Sequence, residues 1–191
     1  MRLAVLCSGN GSNFENIVRV CDQHQVVLMI HNKKECGAAK RADKLGIPHC
    51  CIKMKDEDQI IQLLQAWRVD LVVLAGWMRV ISADFIKAFP NTIINVHPSL
   101  LPKYKGLHAV QQAMDSNDNV TGCTVHYVTD ELDSGEVICQ SREIPIRPDD
   151  TVDSLTRRIQ KEEHRILPIA IEHVKHKVQT RTYRHLLSND Y

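Results

Sequence analysis

Short apolar runs alternate with longer amphipathic segments over the first half of the chain. The runs have the length and composition of buried strands, and the segments carry apolar residues at helical spacing. Strands are predicted for Leu3–Leu6, Val26–Ile30, Pro48–Ile52, Leu71–Leu74 and Thr92–Val96. Helices are predicted for Ser12–His24, Glu35–Leu45, Asp56–Trp67 and a short segment through Ala88 with Ser82 as its N-cap. This alternation predicts an α/β fold, with a mostly parallel sheet and helices on both faces.

The pattern changes after the fifth predicted strand. Thr121–Val128 and Val137–Ile144 are both typical of strands, and the connection between them is too short for a helical crossover. We therefore expect an antiparallel strand pair in the C-terminal half of the chain. A long helix is predicted for Thr151–Lys175, with its core contacts at Val152, Leu155, Ile159, Ile166, Ile169 and Ala170.

Composition narrows the functional classes. The chain has 191 residues, of which 43% are hydrophobic, so we expect one domain over residues 1–191. Its 24 basic and 23 acidic residues give a net charge of +1, which offers no electrostatic argument for nucleic acid or an acidic membrane. No apolar run approaches the roughly 18 residues of a membrane span. The first residues lack the longer apolar region of a signal peptide, so we interpret them as the first strand. The seven scattered cysteines favour free thiols, so a cytoplasmic protein is expected.

A glycine-rich turn joins the first strand to the first helix. Residues 8–13, with the sequence SGNGSN, combine two flexible glycines with the amides of a helix N-terminus, which together can bind an anion. Phe14 stands where a dinucleotide-binding turn has its third glycine, and no Gly-Lys-Ser/Thr follows as in a P-loop. The turn therefore favours a single phosphate, and a plain strand-to-helix turn is the alternative.

The end of the fifth predicted strand carries an amide and an imidazole. Asn95 and His97 are separated by one residue and would project to the same side of a strand. Pro98 and Pro102 then make the following loop rigid, and open α/β sheets bind ligands at the carboxyl ends of their strands. The amide can donate to a developing oxyanion, and the imidazole can carry a proton near neutral pH. A polar pair that merely satisfies strand-end carbonyls is the alternative.

Asp133 lies in the turn between the two C-terminal strands. A carboxylate near His97 would orient the imidazole and favour its charged form. Taken alone, an aspartate in such a turn is more often solvated. His108 and His126 could join the same site, but their spacing does not show it.

Five segments together resemble the phosphoribosylglycinamide formyltransferases, the folate-dependent enzymes of purine synthesis. They are SGNGSN at 8–13, LAGWMRVIS at 74–82, NVHPSLLPKYKGLHA at 95–109, GCTVHYVTDELDSG at 122–135 and QKEEH at 160–164. The resemblance covers nearly the whole chain. It implies a Rossmann-like formyltransferase fold. The implied reaction, in de novo purine biosynthesis, moves a formyl group from 10-formyltetrahydrofolate, the co-substrate, to the amine of 5-phosphoribosylglycinamide (glycinamide ribonucleotide).

The resemblance also implies roles for individual residues. Its catalytic triad corresponds to Asn95, His97 and Asp133. Its phosphate and ribose contacts correspond to Gly11, Ser12, Asn13 and Glu163. Its folate contacts correspond to Lys53, Met78, Arg79, Val80, Ile81 and Asn95. Lys53 stands where the family often has an arginine, and Trp77 where it commonly has a phenylalanine. The resemblance implies no metal, nucleic acid or membrane partner, and it suits a cytoplasmic monomer or homodimer.

Other classes fit the sequence less well. A formyltetrahydrofolate hydrolase would carry a regulatory domain before the first strand, where we expect no room for one. A methionyl-tRNA formyltransferase shares an SLLP segment but carries a C-terminal tRNA-binding domain and lacks this phosphate turn. A nucleotide-dependent oxidoreductase would need an acidic residue after the second strand, where residues 31–34 read HNKK. A non-catalytic binding protein would have no need of Asn95, His97 and Asp133 together.

Overall fold

The computed structural model describes residues 1–53 and 56–188. Within them the strands are β1 (Arg2–Leu6), β2 (Gln25–His31), β3 (His49–Cys51), β4 (Leu71–Leu74), β5 (Ile93–His97), β6 (Val120–Thr121), β7 (Thr124–Tyr127), β8 (Val137–Gln140) and β9 (Ile144–Pro145). The helices are α1 (Ser12–Val20), α2 (Gly37–Leu45), α3 (Glu57–Ala66), α4 (Ala83–Ala88), α5 (Ala109–Asp115) and α6 (Val152–Ser188).

A seven-stranded sheet in the order β3-β2-β1-β4-β5-β7-β8 forms the centre of the molecule. Strands β1 to β5 pair in parallel, whereas β7 is antiparallel to both β5 and β8. The chain runs outward from β1 to β3 and then crosses back to β4, so the strand order reverses between β1 and β4. Ligands bind at the carboxyl ends of strands at such a reversal. The predicted mostly parallel sheet with a C-terminal antiparallel pair is confirmed.

Apolar side chains cover both faces of the sheet. Along β1, Leu3 and Val5 pack into one core cluster with α1 and α6, while Ala4 and Leu6 pack into a second cluster with α3 and α4. Successive side chains of a strand point to opposite faces, so a strand covered on both sides is apolar throughout. This explains why the parallel strands appear in the sequence as continuous apolar runs. Among the described helices, none combines the length and the apolarity needed to cross a membrane.

Helix predictions were wrong at three places. Helix α1 ends at Val20 rather than His24, because His24 turns inward, where its ring contacts the Met1 amino group and the Glu172 carboxylate. Helix α5 was not predicted, since seven residues are too few to show a helical period. Helix α6 continues past Lys175 to Ser188.

Two predicted core contacts of α6 are also wrong. Val152 is 39% exposed and Ile169 is 62% exposed, whereas Leu155, Ile159, Ile166 and Ala170 are buried as predicted. Leu167, Ile171 and Val174 are buried as well, which moves the apolar stripe of the helix away from Ile169.

The predicted C-terminal strands are each divided in two. Their outer ends form a separate ribbon of β6 and β9, while β7 and β8 join the main sheet. Gly122 stands at the break, where a Cβ atom would lie 2.6 Å from the Ser141 Oγ and 2.7 Å from Leu100. This close approach is a tertiary contact, so the strand pattern alone does not show the division.

Candidate active site

A cavity of about 930 Å³ opens at the carboxyl ends of β1, β4 and β5. Its walls come from the turns after these strands, the turn after β7 and the first part of α6. It brings together the predicted site residues Gly11, Ser12, Asn13, Met78, Arg79, Val80, Ile81, Asn95, His97, Asp133 and Glu163. Lys53 is the exception, because the described lining residues do not include it.

His97 and Asp133 lie side by side in this cavity. The His97 Nδ1 is 3.5 Å from the Asp133 Oδ2, and the two side chains are only 7% and 8% exposed. The other ring nitrogen of His97, Nε2, donates to the main-chain oxygen of Tyr104 at 2.8 Å. Both nitrogens therefore face oxygen acceptors, and the doubly protonated ring satisfies both. The strand end and the distant turn thus form the pair that was predicted.

The turn that carries Asp133 is tightly constrained. Asp133 itself has a left-handed backbone, with φ of 49°, and a Cβ atom at Gly135 would collide with the Tyr127 carbonyl oxygen. The Gly106 amide donates to the Asp133 Oδ2 at 2.8 Å. Burial opposes ionisation of Asp133, but hydrogen bonds from His126 and Gly106 and the charge of His97 together hold its pKa below the usual value. Asp133 is therefore a carboxylate at neutral pH.

His126 connects Asn95 to Asp133. Asn95 and His126 are register partners on β5 and β7, and the His126 Nε2 lies 3.2 Å from the Asn95 Nδ2. The same nitrogen lies 3.5 Å from the Asp133 Oδ1. A neutral ring can accept from the amide, and a protonated ring can donate to the carboxylate. Sequence spacing did not place His126 here, because its position depends on how β7 pairs with β5.

The glycine-rich turn has the geometry that an anion site requires. Gly11 is the N-cap of α1 with φ of 76°, and within the described residues no side chain caps this helix end. The amides of the first helical turn are therefore available to a ligand. Asn13, next to the turn, is 8% exposed; its Nδ2 donates to the Glu163 Oε2 at 2.7 Å. Its Oδ1 has no partner among the described residues.

Glu163 reaches this turn from α6 and is itself buried. Burial raises the pKa of the Glu163 carboxyl to about 7, although the hydrogen bond from Asn13 opposes the shift. The carboxyl therefore changes its charge near neutral pH while it contacts Asn13 of the glycine-rich segment. A neutral carboxyl can donate a hydrogen bond to a ligand, and an ionised one can only accept.

Glu163→Gln is expected to reduce the pH dependence of folding. The unfolded glutamate ionises near 4.5, but the folded one keeps its proton to about 7, so the stability of the wild type falls across this interval. Between pH 5 and pH 8 this loss should be about 2 kcal/mol, and the glutamine variant should lack it. Denaturant titrations at the two pH values measure the difference. Glu162→Gln, on the same helix, should keep the wild-type dependence; equal pH dependence in wild type and Glu163→Gln would contradict the prediction.

Exposed apolar side chains also line the cavity. Met78 and Val80 are 53% and 66% exposed, and they follow β4 on a turn where the Met78 amide donates to the Ser8 Oγ at 3.1 Å. Ile81 lines the cavity too, but it belongs mainly to the core. Leu107 and Leu132 are exposed apolar residues that also line the cavity, and sequence reasoning missed them because composition does not reveal exposure.

A lysine other than the predicted one lines the cavity. Lys53 is exposed between β3 and α3, outside the cavity lining. Lys33, which follows β2, lies in the lining instead. Sequence reasoning missed Lys33, although its place after a parallel strand next to β1 was an available signal. The folate role of Lys53 stays a prediction.

A family model described as formyl transferase matches residues 1–171. The phosphoribosylglycinamide formyltransferase of Escherichia coli is 38% identical over 182 residues, which cover 90% of this chain and 85% of that protein. The phosphoribosylglycinamide formyltransferase of Haemophilus influenzae is 36% identical over 182 residues, which again cover 90% of this chain and 85% of that protein. The trifunctional purine biosynthetic protein adenosine-3 of Drosophila melanogaster is 44% identical over 183 residues. This match covers 89% of the chain but only 14% of that longer relative.

Solved structures agree with the fold. Glycinamide ribonucleotide transformylase 1 from Symbiobacterium toebii has a TM-score of 0.86 and 39% identity, with 90% of this chain and 85% of that chain covered. Phosphoribosylglycinamide formyltransferase from Anaplasma phagocytophilum has a TM-score of 0.85 and 38% identity, with 90% and 84% covered. These similarities confirm the predicted Rossmann-like formyltransferase fold.

Proposed function

We propose, because this chain belongs to the formyl transferase family, that it transfers a formyl group from 10-formyltetrahydrofolate to the amine of 5-phosphoribosylglycinamide. Relatives of similar length carry the name of this activity. One observation carries the proposal: a continuous cavity joins an anion-binding turn, the His97–Asp133 pair and an exposed apolar wall. The three parts match the phosphate, the reacting amine and the folate ring in that order.

The nucleotide end of the cavity is proposed at Gly11, Ser12 and Asn13. A phosphate fits there because the uncapped amides of α1 and the helix dipole both favour an anion. Glu163 lies beside Asn13, at hydrogen-bonding distance, and so is placed to contact the ribose hydroxyls that adjoin the phosphate. The unpartnered Oδ1 of Asn13 offers a further acceptor for the substrate.

The folate end is proposed at Met78, Arg79, Val80 and Ile81. Exposed apolar side chains lose unfavourable contact with water when a flat ring covers them. Asn95 lines the same cavity as this wall and His97, which supports a contact of its amide with the formyl-bearing part of the folate as well as with the reaction centre.

The proposed reaction is acyl transfer between two nitrogens. The substrate amine attacks the formyl carbon and forms a tetrahedral oxyanion. The Asn95 amide donates to this oxyanion, a hydrogen bond of a kind worth about 3–4 kcal/mol, and protonated His97 stabilises it through its positive charge. The ionised Asp133 carboxylate lies 3.5 Å from the His97 Nδ1, which supports a role in orienting the ring and balancing its charge. The carbon–nitrogen bond to folate then breaks. A water ordered by Asp133 passes the proton from the attacking amine to the departing folate nitrogen. Every charge that develops has a protein donor, so we propose no metal.

The assay that tests this function supplies both substrates and each alone. We expect formylated glycinamide ribonucleotide and deformylated folate to form in equal amounts. Mass spectrometry measures the nucleotide product, and absorbance measures the folate. Folate deformylation at the same rate without the amine substrate would instead indicate a hydrolase. Inorganic phosphate should compete with glycinamide ribonucleotide and not with folate, and inhibition competitive with folate alone would contradict the proposed nucleotide end.

We propose that the protein acts in the cytoplasm as a monomer or homodimer on these small-molecule substrates. The net charge of +1 supports the choice of small-molecule partners, because it gives no general attraction to nucleic acid or to acidic membranes.

Lys53→Ala is expected to raise the folate KM by roughly fivefold or less, with kcat nearly unchanged. The lysine is exposed, and as a point charge it can attract the folate carboxylate only weakly and in a salt-dependent way. Folate titrations at low and high salt measure the effect, with Lys53→Arg as the charge-conserving control. A large loss of kcat, or a folate KM unaltered at low salt, would show that Lys53 has a different role.

A further inference from the structure

One short segment of the loop after β5 contacts both members of the His97–Asp133 pair. The main-chain oxygen of Tyr104 accepts from the His97 Nε2 at 2.8 Å, and the amide of Gly106 donates to the Asp133 Oδ2 at 2.8 Å. The histidine and the carboxylate are 3.5 Å apart. The two main-chain groups that hold them belong to residues only two positions apart in the sequence. The conformation of residues 104–106 therefore sets the spacing and orientation of the pair.

Tyr104 adopts a backbone conformation that is unfavourable for a bulky residue. Its φ is 57°, in the left-handed region that side chains with a Cβ atom rarely occupy. Such a conformation persists only where surrounding contacts compensate for its energy. The main-chain oxygen that holds His97 belongs to this strained residue, so whatever stabilises Tyr104 also stabilises the histidine.

The side chain of Tyr104 supplies that stabilisation. Its hydroxyl donates to the Asp118 carboxylate, and its oxygen lies 2.8 Å from the Ser116 Oγ. Asp118 also accepts from the Lys103 Nζ at 2.6 Å. Hydrogen bonds from Lys103 and Tyr104 hold the pKa of Asp118 below its usual value, so the tyrosine donates to a carboxylate. These contacts lie beyond α5, and the described cavity lining contains none of Tyr104, Ser116 and Asp118.

We propose that Tyr104 is a positioning residue for formyl transfer, because its hydroxyl, anchored on Asp118, fixes the segment that orients His97 and Asp133. The inference rests on the proposed function. Tyr104 would touch neither substrate. It would affect the reaction because its main chain holds His97 in position. Small displacements of reacting groups cost large factors in rate, so the anchor should affect turnover more than substrate binding.

Kinetics of Tyr104→Phe and Asp118→Ala test the anchor. Each variant is expected to lower kcat about tenfold and to leave KM for both substrates within about twofold. Asp118→Asn keeps an acceptor for the hydroxyl and should recover most of the loss. Lys103→Met is the matched control, because it removes the second partner of Asp118 without touching Tyr104, and it should stay within twofold of wild type. A tenfold loss in Lys103→Met would overturn the proposal.

Nitrogen NMR of the His97 ring supplies a readout that needs no substrate. The wild type should show Nε2 carrying a proton in a stable hydrogen bond, and Tyr104→Phe should shift that signal and speed its exchange with water. A role in stability alone would lower the melting temperature and leave the ring signals unchanged. Wild-type ring signals in Tyr104→Phe, or a kcat within twofold of wild type, would overturn the proposal. If the wild type failed to transfer formyl, the proposed function would fail and the ring signals alone would decide on the anchor.

Discussion

Replacing His97 with alanine, or Asp133 with asparagine, is expected to lower kcat by at least about 100-fold with little change in either KM. In the proposed mechanism, His97 supplies positive charge beside the oxyanion, and Asp133 supplies the carboxylate that orients the His97 ring from 3.5 Å away. Both side chains are almost fully enclosed, so water cannot replace either group efficiently. The loss should therefore fall on the transition state and not on substrate binding.

Steady-state kinetics with both substrates varied will measure these losses. His173, exposed on α6, and Asp84, exposed on α4, offer matched controls, and His173→Ala and Asp84→Asn should stay within twofold of wild type. Rates within tenfold of wild type for both site variants would remove His97 and Asp133 from the proposed mechanism. A KM that rises in step with the loss of kcat/KM would assign them to substrate binding instead.

Gly11→Ala is expected to raise the KM for glycinamide ribonucleotide at least about 100-fold. The new Cβ atom would lie 2.7 Å from the Cα and Cβ atoms of Ala38, where packing against α2 leaves no room. The backbone φ of 76° is also unfavourable for alanine, at about 1–3 kcal/mol. The turn must therefore move, and its amides would no longer converge on the phosphate.

Gly46→Ala is the control that separates the cost of a left-handed backbone from the displacement of the phosphate turn. Gly46 has a similar φ of 67°, but open space surrounds the position of its Cβ, and the described cavity lining does not include it. This control should lose stability and keep the wild-type KM. Calorimetry with glycinamide ribonucleotide and with inorganic phosphate measures binding directly, and the folate KM should change little in either variant. Wild-type affinity for the nucleotide in folded Gly11→Ala would place the phosphate elsewhere.

Local sequence pattern determined most of the architecture. Strand β4 has the predicted bounds, and Ser82 caps α4 by accepting from the Phe85 amide, as its position predicted. Parallel strands buried on both faces are apolar throughout, and this property belongs to each segment by itself. The polar residues at the carboxyl end of β5 likewise indicated where a site should lie, because the ends of parallel strands meet at one edge.

Beyond what the family resemblance implied, only the tertiary structure decided which side chains lie together. Asn13 meets Glu163 across 150 positions of sequence, and Asn95 meets His126 across 31. The pKa of Glu163 depends on its burial where α6 meets Asn13 of α1. In the proposed anchor, the orientation of His97 depends on a strained tyrosine whose hydroxyl is held beyond α5. Periodicity describes how one segment divides between core and solvent. It contains no information about distances between segments, which are set by the packing of helices on the sheet.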